Sequence, residues 1–190
     1  KGAYPFILLV MEVKIPKMYL KCLGAALIIC AAYFYGNNIS SLYRNRVIQL
    51  EELLVGLEMF FTEVNYGLTP LPRAFMNIGA KLREPVGAIF RDAAGEMQKS
   101  GGLSARECWQ NALGNSSVLL ALSSENLKLL ERLGLVWGKG DKNDQLRQIA
   151  LIQELLRQAL REAQDELQRN DKIWKYLGLL GGATLVIFLL

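Results

Sequence analysis

Apolar positions between Asp141 and Trp174 recur in steps of three and four. Leu146, Ile149, Gln153, Leu156, Leu160, Ala163, Leu167, Asn170 and Trp174 fall on one face, and Arg147, Glu154, Arg157, Arg161, Asp165, Gln168 and Arg169 fall on the other. This pattern predicts an amphipathic helix seeking a partner. No Gly or Pro interrupts it before Gly178, and the run Tyr176 to Leu190 carries no charge. A second stripe over Leu42 to Tyr66 is built from Val47, Leu50, Leu54, Leu57, Phe61 and Val64, widened by Leu53 and Phe60. That width suits a bundle core better than a two-stranded coiled coil.

Turn chemistry divides the segment between these stripes. Thr69-Pro70 predicts a capped helix over Pro70 to Leu82, with proline at its first position. Pro85 ends it and opens another to Lys99, stopped by Gly101-Gly102. Ser104 to Glu107 reads as a capping box and opens a short helix to about Leu113, with Cys108, Trp109 and Leu113 facing inward. Gly114 to Ser117 reads as a turn, and Leu119 to Leu122 as a short helical piece. Ser124 caps a helix to Leu133 that buries Leu127, Leu130 and Leu133. Gly134, Gly138 and Gly140 break the chain before the last helix. Almost nothing has the alternation of a strand. The expected fold is all-α, a helical bundle of about six helices in which the long first and last helices lie side by side as an antiparallel stalk.

Two uncharged stretches flank the charged block: Cys22 to Tyr43 and Tyr176 to Leu190. The first, read over residues 18–37, is long enough to cross a hydrocarbon core, and Tyr33, Phe34 and Tyr35 cluster at its end as interfacial aromatics do. A cleaved signal peptide, a lipoprotein leader ending at Cys30 and, for the C-terminal tail, a helix buried in a soluble core are the competing readings. As a helix, residues 176–190 span only about 22 Å at the usual rise per residue. A start at Ile173, with Lys172 and Lys175 snorkelling, lengthens the span. Gly178 and Gly182 form a small-xxx-small face for packing on another membrane helix. Residues 1–17 lie before this frame and are expected to be an upstream or disordered tail, with translation starting at Met18 or Met11. Residues 42–175 then form the soluble domain. With Met18 as the start, the flanking Arg44, Arg46, Arg169, Lys172 and Lys175 place that domain in the cytoplasm by the positive-inside rule. With the tail retained, the balance is close.

Charge adds little to this. Residues 44–175 hold 18 basic and 17 acidic side chains, so most of the net charge of +4 sits near the N-terminus. The signs alternate along the block, which argues against a nucleic-acid surface. The chain has no His, and with it loses the commonest general base and metal ligand. Of the three cysteines only Cys108 lies in the block, so no disulfide framework exists there. Adjacent acids at Glu51-Glu52 and Asp165-Glu166 diverge by about 100° on a helix and read as solvated. Gly138-Lys139-Gly140-Asp141-Lys142 lacks the preceding strand and full spacing of a phosphate loop and reads as a helix-entry turn. No catalytic residue, cofactor site or metal site is expected.

The run Glu63-Val64-Asn65-Tyr66-Gly67-Leu68-Thr69-Pro70-Leu71-Pro72, the run Leu133 to Asp141 and the final amphipathic helix resemble the stage III sporulation protein AB family of endospore-forming bacteria. The resemblance covers Met18 to Leu190. That family is in turn similar to the inner-membrane platform proteins of type II secretion and type IV pili, with Gly67 to Ala74 and Gly102 to Ala112 in the places of their two repeated turn-helix elements. Gly134 to Asp141 stands where those proteins carry an acidic turn, but here Leu135 follows Gly134 and the acid is missing. The resemblance implies a non-enzymatic platform or scaffold subunit in the mother-cell membrane around the forespore, within a channel or secretion-like complex. It implies contacts with a secretion-type ATPase (stage III sporulation protein AA-like) and with other channel subunits. The expected ATPase surface includes Thr69, Pro70, Pro72, Gly138, Gly140 and Asp141. A membrane-anchored adaptor dimerising through its stalk is the alternative, a helical enzyme completed by a partner the third. A homo-oligomer fits either of the first two.

Overall fold

The computed structural model describes residues 17–66, 69–99, 101–137 and 142–189. Six α-helices follow one another: α1 (Lys17–Tyr66), α2 (Leu71–Gly79), α3 (Val86–Lys99), α4 (Ala105–Ser116), α5 (Ser124–Leu133) and α6 (Lys142–Leu189). There is no strand among the described residues. The chain divides into two compact units, Lys1–Ile39 with Lys172–Leu190, and Ser40–Asp171.

In the larger unit both long stripes face the core. Leu50, Leu53 and Leu57 of α1 and Ile149 and Leu156 of α6 are wholly or almost wholly buried. The polar residues named on the opposite face of α6 are all exposed. Arg46 of α1 donates to Glu166 of α6 at 2.5 Å, tying the two helices. Glu52 accepts from the Arg83 backbone N–H at 3.0 Å. Neither Glu52 nor Glu166 is therefore merely solvated, contrary to the expectation for these acid pairs. A helix-face argument sees direction but not the residue that folding brings opposite.

Aromatic rings fill the centre. Phe75 meets Phe60, Phe90, Trp109 and Trp137 edge-on, with centroids 5.5, 5.4, 5.7 and 5.1 Å away. The edge-to-face arrangement sets the positive ring edge against the negative face of a neighbour. The Trp109 indole donates to the Leu130 carbonyl at 2.7 Å, giving its buried N–H a partner at the end of α5.

Several predicted boundaries move, each for a local reason. Thr69 does not cap α2. Pro70 takes the N-cap position with an extended ψ of 141°, and its carbonyl accepts from Arg73 and Ala74. Pro72 therefore occupies the first turn, where a missing N–H loses no helical bond. Helix α4 runs through Gly114 to Ser116, and the Ser117 hydroxyl closes it on the Gly114 carbonyl at 2.8 Å. The piece expected at Leu119 to Leu122 is instead a 3-10 turn over Ser117–Leu119 followed by extended chain. The buried Gln49 amide holds it so, donating to the Leu119 carbonyl and accepting from the Ala121 N–H. The cap of α5 is Ser123, not Ser124, because Asn126 three residues on returns the hydrogen bond and Leu127 could not.

The smaller unit contains the outer parts of α1 and α6. Leu27, Phe34, Ile173, Tyr176 and Leu180 stand exposed on them. Among the described residues, no helix is long and apolar enough to cross a membrane. Most side chains of the two expected membrane helices lie outside the described residues, including those around Gly178 and Gly182.

Candidate partner-binding surface

The Thr69 to Pro72 turn stands at the edge of the aromatic centre. Thr69, Leu71 and Pro72 are half-buried and Pro70 is exposed, whereas Ala74 and Phe75 immediately after them are buried. The buried pair fixes the start of α2 and leaves the proline turn at the surface. Trp137 packs on Phe75 with centroids 5.1 Å apart. Its chain neighbour is Gly138. Gly138, Gly140 and Asp141 themselves lie outside the described residues.

Two clefts open on the larger unit, one of them at Trp137. One, of about 580 Å³, is lined by the first turn of α4, from Ser104 to Glu107, together with Gln110, Gly134 and Trp137. The other, of about 310 Å³, lies between the turn after α5 and the first turns of α6. Its lining includes Leu135 and Leu151, each about half exposed. The sequence reading missed both leucines. The signal for Leu151 was available: it stands off the three-and-four stripe of α6 and so has no core to enter. Val118 and Leu119 are likewise exposed, at 92% and 68%.

The capping box in the first cleft is as expected. The Ser104 backbone N–H and hydroxyl both donate to Glu107 Oε2 at 2.7 Å, and the Glu107 N–H donates back to the hydroxyl. The Ser104 backbone bond, then its hydroxyl, hold the Glu107 carboxyl below the usual carboxylate range, with a smaller contribution from Arg106. A lowered native value means the carboxylate's contribution is complete above the unfolded value and lost as pH falls through the native one. Glu107→Gln should therefore be less stable than the parent at neutral pH, with the difference shrinking at acid pH. Denaturant titrations of both proteins across that range check this; a constant difference would rule out the carboxylate as its source.

No group of three or more His, Cys, Asp or Glu among the described residues could hold a metal. Cys108 is buried and Cys30 exposed, and neither forms a disulfide among the described residues. Among the described residues the surface carries exposed apolar side chains, the two clefts and the capped turns named above.

Residues 21–190 match the family model for stage III sporulation protein AB. The chain belongs to the stage III sporulation protein AB family. The family's protein from Bacillus subtilis (strain 168) is 30% identical over 171 residues, covering 90% of this chain and 99% of the relative. A solved structure of a stage III sporulation protein AB has a TM-score of 0.62 and 27% identity. It covers 65% of this chain and 97% of its own. The helical architecture and membership of this sporulation family therefore agree.

Proposed function

We propose that this chain is a non-enzymatic, membrane-anchored platform subunit of a sporulation channel or secretion-like complex. In this reading its helical unit faces the mother-cell cytoplasm and docks a secretion-type ATPase. The outer parts of α1 and α6 sit in the membrane around the forespore and meet other channel subunits.

One observation carries the reading. The two longest helices, of 50 and 48 residues, each run unbroken from the helical unit into an uncharged stretch of sequence. A helix held in the core at one end positions whatever its other end enters. Bulky apolar side chains stand exposed on these outer parts, which is costly in water and favourable in lipid. Basic residues border them on the side of the helical unit. Family membership supplies the sporulation context, and the resemblance to secretion platform proteins supplies the ATPase. In the same reading the outer helices pack through Gly178 and Gly182, and the inner lengths of α1 and α6 form the antiparallel stalk.

Sodium carbonate extraction of membranes from sporulating cells tests the anchoring. The full chain should stay in the pellet, and a version cut back to residues 40–171 should move to the supernatant. Release of the full chain by carbonate would exclude membrane-spanning helices.

A further inference from the structure

We propose that Gln49 is a latch, and that residues 118–122, between α4 and α5, open from α1 as one piece while the rest of the larger unit stays folded. The proposal concerns the helical unit alone and depends on neither the membrane reading nor the ATPase reading.

Gln49 stands on the buried face of α1, with Val47 and Leu50 beside it, and is only 6% exposed. A glutamine in that place costs desolvation unless its amide is bonded. Both ends of the amide go to the segment. Nε2 donates to the Leu119 carbonyl at 3.4 Å, and Oε1 accepts from the Ala121 N–H at 2.7 Å. Leu120, between them, is extended at φ −86° and ψ 127°. One side chain thus holds backbone that has left the helical path, from a position about 70 residues earlier in the chain.

Apolar burial adds little to that hold. Leu120 enters the core, Ala121 and Leu122 are half-buried, and Val118 and Leu119 point outward. A segment with few buried apolar contacts opens at a lower free energy than the core around it. The exposed pair Val118 and Leu119 rides on this segment, so the Gln49 amide sets where that pair stands on the surface.

The flanking helices are held without the segment. Trp109, Ala112 and Leu113 bury α4, and Leu130 and Leu133 bury α5. The Trp109 indole donates to the Leu130 carbonyl at 2.7 Å, which ties the two helices directly and bypasses the chain between them. Both ends of the segment are also closed locally. The Ser117 hydroxyl donates to the Gly114 carbonyl at 2.8 Å, and the Ser123–Asn126 capping box starts α5. Ser117 and Ser123 are therefore the hinges. Between them, opening breaks the two Gln49 bonds and the 3.3 Å bond from the Leu120 N–H to the Ser117 carbonyl.

Hydrogen–deuterium exchange on the full chain tests the latch, and the Ala121 amide is the informative one because it is bonded in the closed state. In the parent it should exchange faster than the core amides of α4 and α5. Gln49→Met keeps the side-chain length and loses both bonds. It should speed Ala121 exchange about tenfold or more and leave α4 and α5 as in the parent. Gln153→Met, which removes another buried amide on α6, should leave Ala121 unchanged. An Ala121 amide in the parent as slow as the core amides of α4 and α5 overturns the proposal, because the segment then opens only with the whole unit. That comparison needs no variant and decides the matter if Gln49→Met does not fold. An unchanged Ala121 rate in folded Gln49→Met overturns the latch. An equal acceleration throughout the unit does so too, since Gln49 is then an ordinary core residue.

Discussion

Phe75→Ala is expected to destabilise the helical unit by about 3–5 kcal/mol. Phe75 is completely buried and is the ring that Phe60, Phe90, Trp109 and Trp137 all touch. Its loss removes apolar burial and leaves a cavity that four large rings cannot readily close, since moving one breaks its contact with another. Each edge-to-face pair adds about 0.5–1.5 kcal/mol beyond area, so Phe75→Leu, which preserves most of the volume, should cost a smaller but measurable amount. In a unit of this size the alanine variant should melt about 10–20 °C below the parent. A loss under about 1 kcal/mol in a urea titration would show that the rings are not packed as described. The expected consequence reaches the surface, because Phe75 lies three residues after the exposed proline turn and packs on Trp137.

Gly87→Ala should cost about 1–3 kcal/mol or more, while Gly95→Ala in the same helix should stabilise by up to about 1 kcal/mol. Gly87 lies in the first turn of α3 and Gly95 in its interior, and their surroundings differ sharply. A Cβ at Gly87 would stand 2.7 Å from the Leu82 carbonyl and 2.8 Å from that of Gly79, both backbone atoms. In return, a Cβ at Gly79 would stand 2.7 Å from the Gly87 carbonyl. The backbones of α2 and α3 touch here and cannot yield without moving a helix. At Gly95 nothing lies within 4 Å, so alanine adds only helix propensity. The pair of melting temperatures checks this, and equal shifts in the same direction would contradict the close approach.

The long stripes made α1 and α6 legible because a period of three and four over many residues allows only one buried face. Leu50, Leu57, Ile149 and Leu156 follow that pattern into the core. Ser104 was legible because its partner Glu107 lies three residues away and needs no tertiary contact. The details that stayed hidden depend on distant residues. Gln49 turns Leu119 to Ala121 away from helix across 70 residues of chain or more. Arg46 recruits Glu166, and Gly79 is small because Gly87 lies against it. Of the expected partner surface, the proline turn is found at the rim of the aromatic centre. The leucine-walled cleft was missed because its two sides come from elements separated by the glycine turn.

In the proposed function this helical unit docks an ATPase without performing chemistry itself. Size-exclusion chromatography with light scattering, on the full chain in nanodiscs mixed with the purified stage III sporulation ATPase, tests it most directly. The expected result is a stable complex heavier than either component, weakened by substitution at Thr69, Pro72 or Asp141. Separate elution of the two proteins, with the chain alone forming a dimer, would contradict it and favour the stalk-dimerised adaptor.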